Sequence, residues 1–447
     1  MTQTTATTAE VTDLLQHLIR NSCVNDGSRA SGCEVRSVDV LDAYLAGPGV
    51  DIARYEPAPG RASLVARIEG RRPEAPTLLL MGHTDVVPAN DEGWRHDPFG
   101  GELIDGEVWG RGAIDMLNLT ASMAVATKTL ARSGFRPDGT LIYLAVADEE
   151  AQSTWGADHL ATHELDAVRA DYIVTESGGI PMPGGDGDLR LPVLVAEKGS
   201  CWCTIRITGT PGHASQPYAT DNALVTAAEV VRRLDAFRPQ AEMHDTWRAF
   251  LEGMGYPEDV VASLLDPDRF GDAIAALPVG MARQFHACTH TTIAPTMMRA
   301  GIKTNVIPDR VDLQLDIRTL PGQRLADVQA LLDEALGDLS DRVTVVESHD
   351  DPATASPTDT PLWDTLAKVT QDVYAGSHLV PALSAGATDA RFFRRLGIPA
   401  YGFGLFSEKL TLEDFGRMFH GDDERVDVES LRLSTEMFAA VARDLLA

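Results

Sequence analysis

Two histidines and a scattered set of carboxylates are the residues of this chain whose types and spacing could do chemistry. His83 lies in Met81-Gly82-His83-Thr84-Asp85-Val86-Val87-Pro88, directly after the apolar run 77–81. Such a run reads as a strand buried on both faces, so the imidazole emerges at the strand's carboxyl end, where open α/β sheets place their chemistry. Asp85, two residues on, can accept the other ring N–H, which is how a metal-ligating imidazole is oriented. A second apolar run, 140–147, ends in Asp148-Glu149-Glu150, and a third, 171–175, ends in Glu176. Three adjacent acids at a strand tip are costly unless something cationic neutralises them. Asp115 closes the segment Gly110-Arg111-Gly112-Ala113-Ile114-Asp115, and His420 precedes Gly421.

Imidazoles and carboxylates without thiolates suit zinc of the catalytic kind, since structural zinc is usually closed by cysteines. His83, Asp115, Glu150, Glu176 and His420 are the candidate ligands. If one carboxylate bridges, each of two ions about 3.5–4 Å apart receives three ligands, and a water can be shared. Zinc lowers the pKa of bound water to roughly 7, so hydroxide exists at neutral pH. Glu149, beside a ligand yet free itself, is placed to take the water's proton and pass it to a leaving amine. Two other motifs are set aside. The 110–115 segment lacks the third glycine and the preceding strand of a dinucleotide fingerprint, and no Gly-Lys-Ser/Thr follows it. Asp266–Asp272 resembles a calcium loop, but Phe270 stands where a ligand is required and no Glu closes it.

The elements that must position these groups follow from hydrophobic period. Val11, Leu14, Leu15, Leu18 and Ile19 share one helix face, and a second helix is expected over 37–45. An alternating strand over 63–68 precedes the run that leads to His83, and a polar loop over 88–110 carries Trp94 and Phe99. Asp115 leads into a helix that ends near Arg132. Strand–helix–strand alternation implies parallel neighbours, so the three acid- and histidine-tipped strands converge on one sheet edge. The pattern changes after the glycine-rich segment 178–187. Strand (201–208), helix (221–237), strand (292–298), strand (311–318), helix (325–336) and strand (343–347) describe a ferredoxin-like β-α-β-β-α-β unit, with a helical insertion over 243–285. The expected fold is α/β: a doubly wound mixed sheet forming the catalytic domain (1–196 and 351–447), interrupted by an α+β satellite (197–350). In the second part, a helix is expected over 362–374, a strand over 400–404, and a last helix opening at His420-Gly421.

With 447 residues, 44% of them hydrophobic, the chain has material for two or three domains. No apolar run reaches the roughly 18 residues of a membrane span. Residues 1–10 show neither a basic nor an apolar leader region, so a cytoplasmic protein is expected. Five cysteines, an odd number with no Cys-x-x-Cys pair, read as buried free thiols. A formal charge of −28 argues against nucleic acid and anionic membranes as partners.

His83-Thr84-Asp85, Gly110–Met116, Asp148-Glu149-Glu150, Glu197-Lys198-Gly199, Gly212-His213-Ala214-Ser215, Lys303–Pro308, Asp316-Ile317-Arg318 and His420-Gly421, taken in order over nearly the whole chain, resemble the co-catalytic zinc hydrolases. That family contains acetylornithine deacetylase, succinyl-diaminopimelate desuccinylase, aminoacylase, carnosinase and carboxypeptidase G. The resemblance implies two Zn2+, with Co2+ or Mn2+ as substitutes: one held by His83 and Glu176, the other by Glu150 and His420, and Asp115 bridging. It implies Glu149 as general base, Asp85 as orienter of His83, and His213 as a group that reaches across a homodimer to polarise the scissile carbonyl. By its residues alone, His213 reads as a turn residue. Asn305, Arg318 and Gly386 match positions near the substrate, although Arg318 could instead pair with a neighbouring acid. Leu117-Asn118, the glycine-free 151–155 segment and Gly386-Ala387-Thr388 depart from the commoner family pattern. Glu176, where aminopeptidases and dipeptidases more often carry Asp, favours a deacylase or carboxypeptidase acting on an N-acyl amino acid or short peptide. A dipeptidase or aminopeptidase with the same site is the alternative, and a binding protein that has lost catalysis is the reading from another class.

Overall fold

The computed structural model describes residues 3–90 and 92–447, so Met1 and Thr2, part of the stretch read as leaderless, lie outside the described residues. Its larger sheet is mixed and runs Asp51–Ala58, Arg61–Ile68, Thr140–Val146, Thr77–His83, Tyr172–Thr175, Ala400–Gly402, Leu189–Glu197, Thr354–Ala355. His378–Ser384 joins Leu189–Glu197 in parallel. The two central strands explain why their sequences are continuously apolar. Leu78, Leu80, Leu141, Tyr143 and Ala145 enter the core on one face, while Leu79, Met81, Ile142, Leu144 and Val146 enter a second core on the other. With period 2 and both faces covered, every residue must be apolar. The helices Gln3–Asn21, Leu117–Arg132 and Val428–Leu445 supply the first face. Leu117–Arg132 is buried over most of its length, as its small residues Ala121, Ser122, Ala124 and Ala126 allow.

The smaller sheet is antiparallel, in the order Thr292–Ala300, Arg310–Thr319, Gly199–Thr208, Val343–Asp351. Here Arg310–Thr319 alternates: Val311, Leu313, Leu315 and Ile317 pack with Val230, Leu234, Val328 and Leu332 from the helices Ala223–Ala236 and Leu325–Leu336. Helices cover one face only, and the other stays open. The helices Asp245–Gly253, Glu258–Leu264, Pro267–Ala275 and Val279–Thr289 lie within the same stretch of chain. Their apolar residues Trp247, Leu251, Leu264, Phe270 and Phe285 nevertheless belong to the larger core. Asp266 caps the third of them, accepting from the Asp268 N–H at 3.0 Å, which is the role of the acid that resembled a calcium ligand.

Three expectations change. The last helix begins at Val428, not at His420, because Asp427 caps it by accepting from the Ser430 N–H at 3.1 Å. His420 sits instead in a loop with φ +57°. The Gly110–Asp115 segment is preceded by a strand after all, Glu107–Trp109, which belongs to a small three-stranded sheet with Glu102–Ile104 and Arg425–Asp427. The strand Arg61–Ile68 is buried almost throughout rather than alternating, since Leu64 and Ala66 face one core and Val65 the other.

The chain passes between the two cores four times, and side chains tie the crossings together. Lys198, 1% exposed, donates from Nζ to the His290 carbonyl at 2.7 Å and to Thr292 Oγ1 at 3.2 Å. It thereby joins the first crossing to the third. Burial pushes its amine down to about 7. Above that pH the folded state binds fewer protons than the unfolded one, up to the unfolded lysine value near 10.5, so this group makes stability rise with pH through that window. Denaturant unfolding of the wild type and of Lys198→Met at pH 6.5 and pH 8.5 checks this: the wild type gains about 1–2 kcal/mol on the variant between the two. A pH-independent gap would mean that the lysine keeps its proton when buried.

Candidate metal centre

Thr77–His83 lies between Thr140–Val146 and Tyr172–Thr175, parallel to both. Their carboxyl ends therefore carry His83 in the middle, Glu149 and Glu150 on one side and Glu176 on the other. After Thr140–Val146 the backbone turns through Asp148 at φ +70° into a short 3-10 turn, Glu149–Ala151, which bends both glutamates into the site. Two sets of potential ligand atoms result, each within 4.8 Å of one another: His83, Asp115 and Glu176, and Asp115, Glu150 and His420. Asp115 belongs to both. Its Oδ1 lies 3.2 Å from His83 Nε2 and its Oδ2 lies 2.9 Å from His420 Nε2. Glu176 Oε2 is 4.0 Å from His83 Nε2, and Glu150 Oε2 is 3.4 Å from His420 Nε2.

These residues fit a pair of divalent ions. Bonds of about 2.0–2.2 Å to nitrogen and oxygen would separate tetrahedral ligand atoms by roughly 3.3–3.6 Å, and the separations above straddle that range. Glu150 Oε1 is buried without a hydrogen-bond partner among the described residues. The charge balance agrees. Burial, with neighbouring carboxylates adding, lifts Glu149 and Glu176 well above the usual carboxylate range and Glu150 to about 7. Burial opposes a charge on His83 as well, yet its bond to Asp115 and the nearby acids hold the ring far above its ordinary value. His420, bonded to Asp115 and Glu150, rises to about 10. Only Asp115 is held low, because the two imidazoles outweigh its burial.

Asp85 acts differently from the simple orienter. The ring N–H of His83 meets the main-chain carbonyl of Asp85 at 2.9 Å, while the Asp85 carboxylate stands 3.7 Å from that nitrogen. The carboxylate instead accepts from the backbone N–H groups of Glu149 and Glu150, at 3.2 and 3.1 Å, and from Asn25 Nδ2 at 2.9 Å. It fixes the turn that aims the acid pair. Asn25 bonds Asp148 too, and behind it lies the buried Arg61–Glu34 pair at 2.6 Å. Asp389, whose carboxyl burial lifts to about 6, and Arg391 stand within electrostatic reach of Glu149. Asn25, Arg61, Asp389 and Arg391 carry no spacing signal, and only the fold reveals them.

The other candidates lie outside the two ligand sets. His213 pairs in a two-residue strand with Val306, and its Nδ1 shares a 2.8 Å bond with Ser215 Oγ. Asn305 accepts from the Ala214 N–H at 3.1 Å. Arg318 pairs with Asp316 at 2.8 Å and lies over the Trp202 ring at 5.6 Å, on the open face of the smaller sheet. Gly386 is exposed, its N–H on Ser384 Oγ at 3.2 Å.

The family model "Peptidase family M20/M25/M40" matches residues 79–444. The chain belongs to that family. It is accordingly a hydrolase of amide bonds. Among curated relatives, the N-fatty-acyl-amino acid synthase/hydrolase PM20D1 of Homo sapiens is 30% identical over 373 residues, 81% of this chain and 73% of that one. Aminoacylase-1 of Homo sapiens is 27% identical over 401 residues, 88% of this chain and 87% of that one. Among solved structures, an M20 family metallo-carboxypeptidase from Sulfolobus solfataricus superimposes with a TM-score of 0.69 at 16% identity, covering 100% of this chain and 99% of that one. This last likeness speaks for the fold.

Because Asp115 serves both sets, its loss should empty both. Zn2+ measured by elemental analysis is expected at two per chain in the wild type, one in His420→Ala and none in Asp115→Ala. Ligation requires His420 and Glu150 to give up protons held to about 10 and about 7. Binding at pH 7 therefore releases protons, and affinity falls as pH drops, which calorimetry in buffers of different ionisation heat would measure.

Proposed function

We propose that the chain is a di-zinc amidohydrolase that removes the acyl group from an N-acyl amino acid or cleaves a C-terminal peptide bond. The observation that carries this reading is Glu149: a half-buried carboxyl that the 3-10 turn bends in beside both ligand sets, belonging to neither, its affinity for a proton raised by burial and by Glu176. When bound, the metal pair supplies Lewis acidity and an activated water. His83 and Glu176 would hold one ion, Glu150 and His420 the other, with Asp115 shared. Glu149 takes a proton at its carboxylate oxygen and delivers it to the leaving nitrogen, and the raised pKa suits a group that must hold that proton near neutral pH. Asp85 keeps the acid pair aimed. The resemblance would place Asn305 and Arg318, the latter released from Asp316, on the substrate's carboxylate side and Gly386 in a loop near the substrate, and the names of the two curated relatives, both of N-acyl amino acid chemistry, favour a blocked amine.

His213 lies in the smaller domain, so a role on the scissile carbonyl calls for a second copy of the chain. Thr292–Ala300 is suited to receive one: it is an outer strand paired on one side only, with Met297 and Met298 52% and 41% exposed. The free cysteines, Cys23, Cys33, Cys201, Cys203 and Cys288, fit a reducing, cytoplasmic setting. No helix among the described residues is long and apolar enough to cross a membrane.

Amine release from a paired panel of N-acyl amino acids and unblocked dipeptides tests the reaction. Turnover is expected on the blocked substrates and should fall about 10²–10⁴-fold in Glu149→Gln; turnover confined to free-amine dipeptides would move the chain to the dipeptidase reading. For His213, sedimentation should show a dimer, and His213→Ala should lower kcat with the dimer intact. A monomer of full activity would remove the cross-subunit role.

A further inference from the structure

The shared carboxylate Asp115 and the ligand His420 lie 305 residues apart, yet their side chains meet at 2.9 Å. Neither sits on a regular element that would hold it. Asp115 ends a loop, and His420 occupies a turn at φ +57° between the helix Leu412–Met418 and the strand Arg425–Asp427. One buried ion pair spans the gap. Glu424, 0% exposed, accepts on Oε1 from the N–H groups of Gly112, Ile114 and Asp115 at 3.1, 2.7 and 3.0 Å. Three donors reach one oxygen because the loop turns at Gly112, φ +93°, where a Cβ would come within 2.5 Å of Leu117. On Oε2, Glu424 accepts from Arg111 Nη1 at 2.8 Å. The other arm of the same guanidinium donates to the carbonyls of Pro88 and His420, both at 3.4 Å, and Trp94 lies beneath it at 5.3 Å.

We propose that Glu424 and Arg111 are a positioning pair that registers the 110–115 loop to the His420 turn, so that Asp115 and His420 present a preformed site to the metals. Neither residue belongs to either set of potential ligands. A carboxylate is required because its two oxygens do different work: one gathers backbone N–H groups, the other holds a guanidinium, and a Gln could satisfy only the first. An arginine is required because a single planar fork must reach both Glu424 and the His420 carbonyl. Removing either leaves the ligands in place chemically but free to drift, which weakens binding of the metal rather than abolishing a ligand.

The inference rests on the metal-centre reading and is tested by Zn2+ affinity, measured by competition with a chelating dye on folded protein. Glu424→Gln should bind Zn2+ about 10–100-fold more weakly than the wild type. Glu197→Gln, which disturbs another buried carboxylate paired with an arginine, Arg394 at 3.0 Å, should bind like the wild type, separating positioning from general loss of stability. Should Glu424→Gln fail to fold, Arg111→Lys keeps the charge but loses the second arm, and should weaken one of the two ions only. Wild-type affinity for both ions in either variant overturns the pair's role. A wild-type chain that binds no Zn2+ overturns the metal centre itself, and the proposal with it.

Discussion

Negative charge crowded into a largely buried space is the constraint from which the rest of this architecture follows. Asp85, Asp115, Glu149, Glu150, Glu176 and Asp389 gather at one edge of the larger sheet, nearly all of their side chains out of solvent. Left uncompensated, carboxylates in such surroundings take up protons rather than stay ionised. Two imidazoles and the Arg391 guanidinium offset only part of the charge, and what remains is a demand for cations. The same crowding gives Glu149 its high affinity for a proton, so one electrostatic cause accounts both for the attraction of metal and for the behaviour of the acid beside it.

Holding that charge in place takes a second layer of polar groups, nearly as buried as the first. Asn25 joins Asp85 to Asp148, Arg61 and Glu34 back them, and Arg111 with Glu424 braces the opposite side. Buried ion pairs of this kind contribute little net stability, because desolvation consumes most of their attraction. Their value lies in geometry. Each ties loops distant in sequence to a rigid strand end and leaves few alternative arrangements for the side chains that must converge.

Much of this is legible in the amino-acid sequence alone. The strand ends at His83, Glu149 and Glu176 were visible because strands covered on both faces are continuously apolar, and an acid at the end of such a run stands out. The smaller domain was visible because a sheet covered on one face alternates, as Val311 to Ile317 does. Hidden were residues whose meaning depends on a partner hundreds of positions away. Glu424 reads as one more acid in an acidic loop, and Asn25 as a turn residue. The spacing of Asp85 to His83 is legible in the sequence, but its carboxylate serves the acid pair, while its carbonyl serves the histidine. The last helix starts at Val428 rather than at His420 because the Asp427 side chain caps it, whereas the His-Gly pair at 420–421 lies in the preceding turn.

The helices from Asp245 to Thr289 interrupt the smaller domain's sequence and yet complete the larger domain's core through Trp247, Phe270 and Phe285. The smaller domain is therefore not a cassette. Excising the chain from Gly199 to Asp351 as one block, or exchanging it for a relative's, would strip the larger core of those aromatic residues along with the satellite sheet. A workable graft needs four junctions, and Lys198 sits where the first and third of them touch.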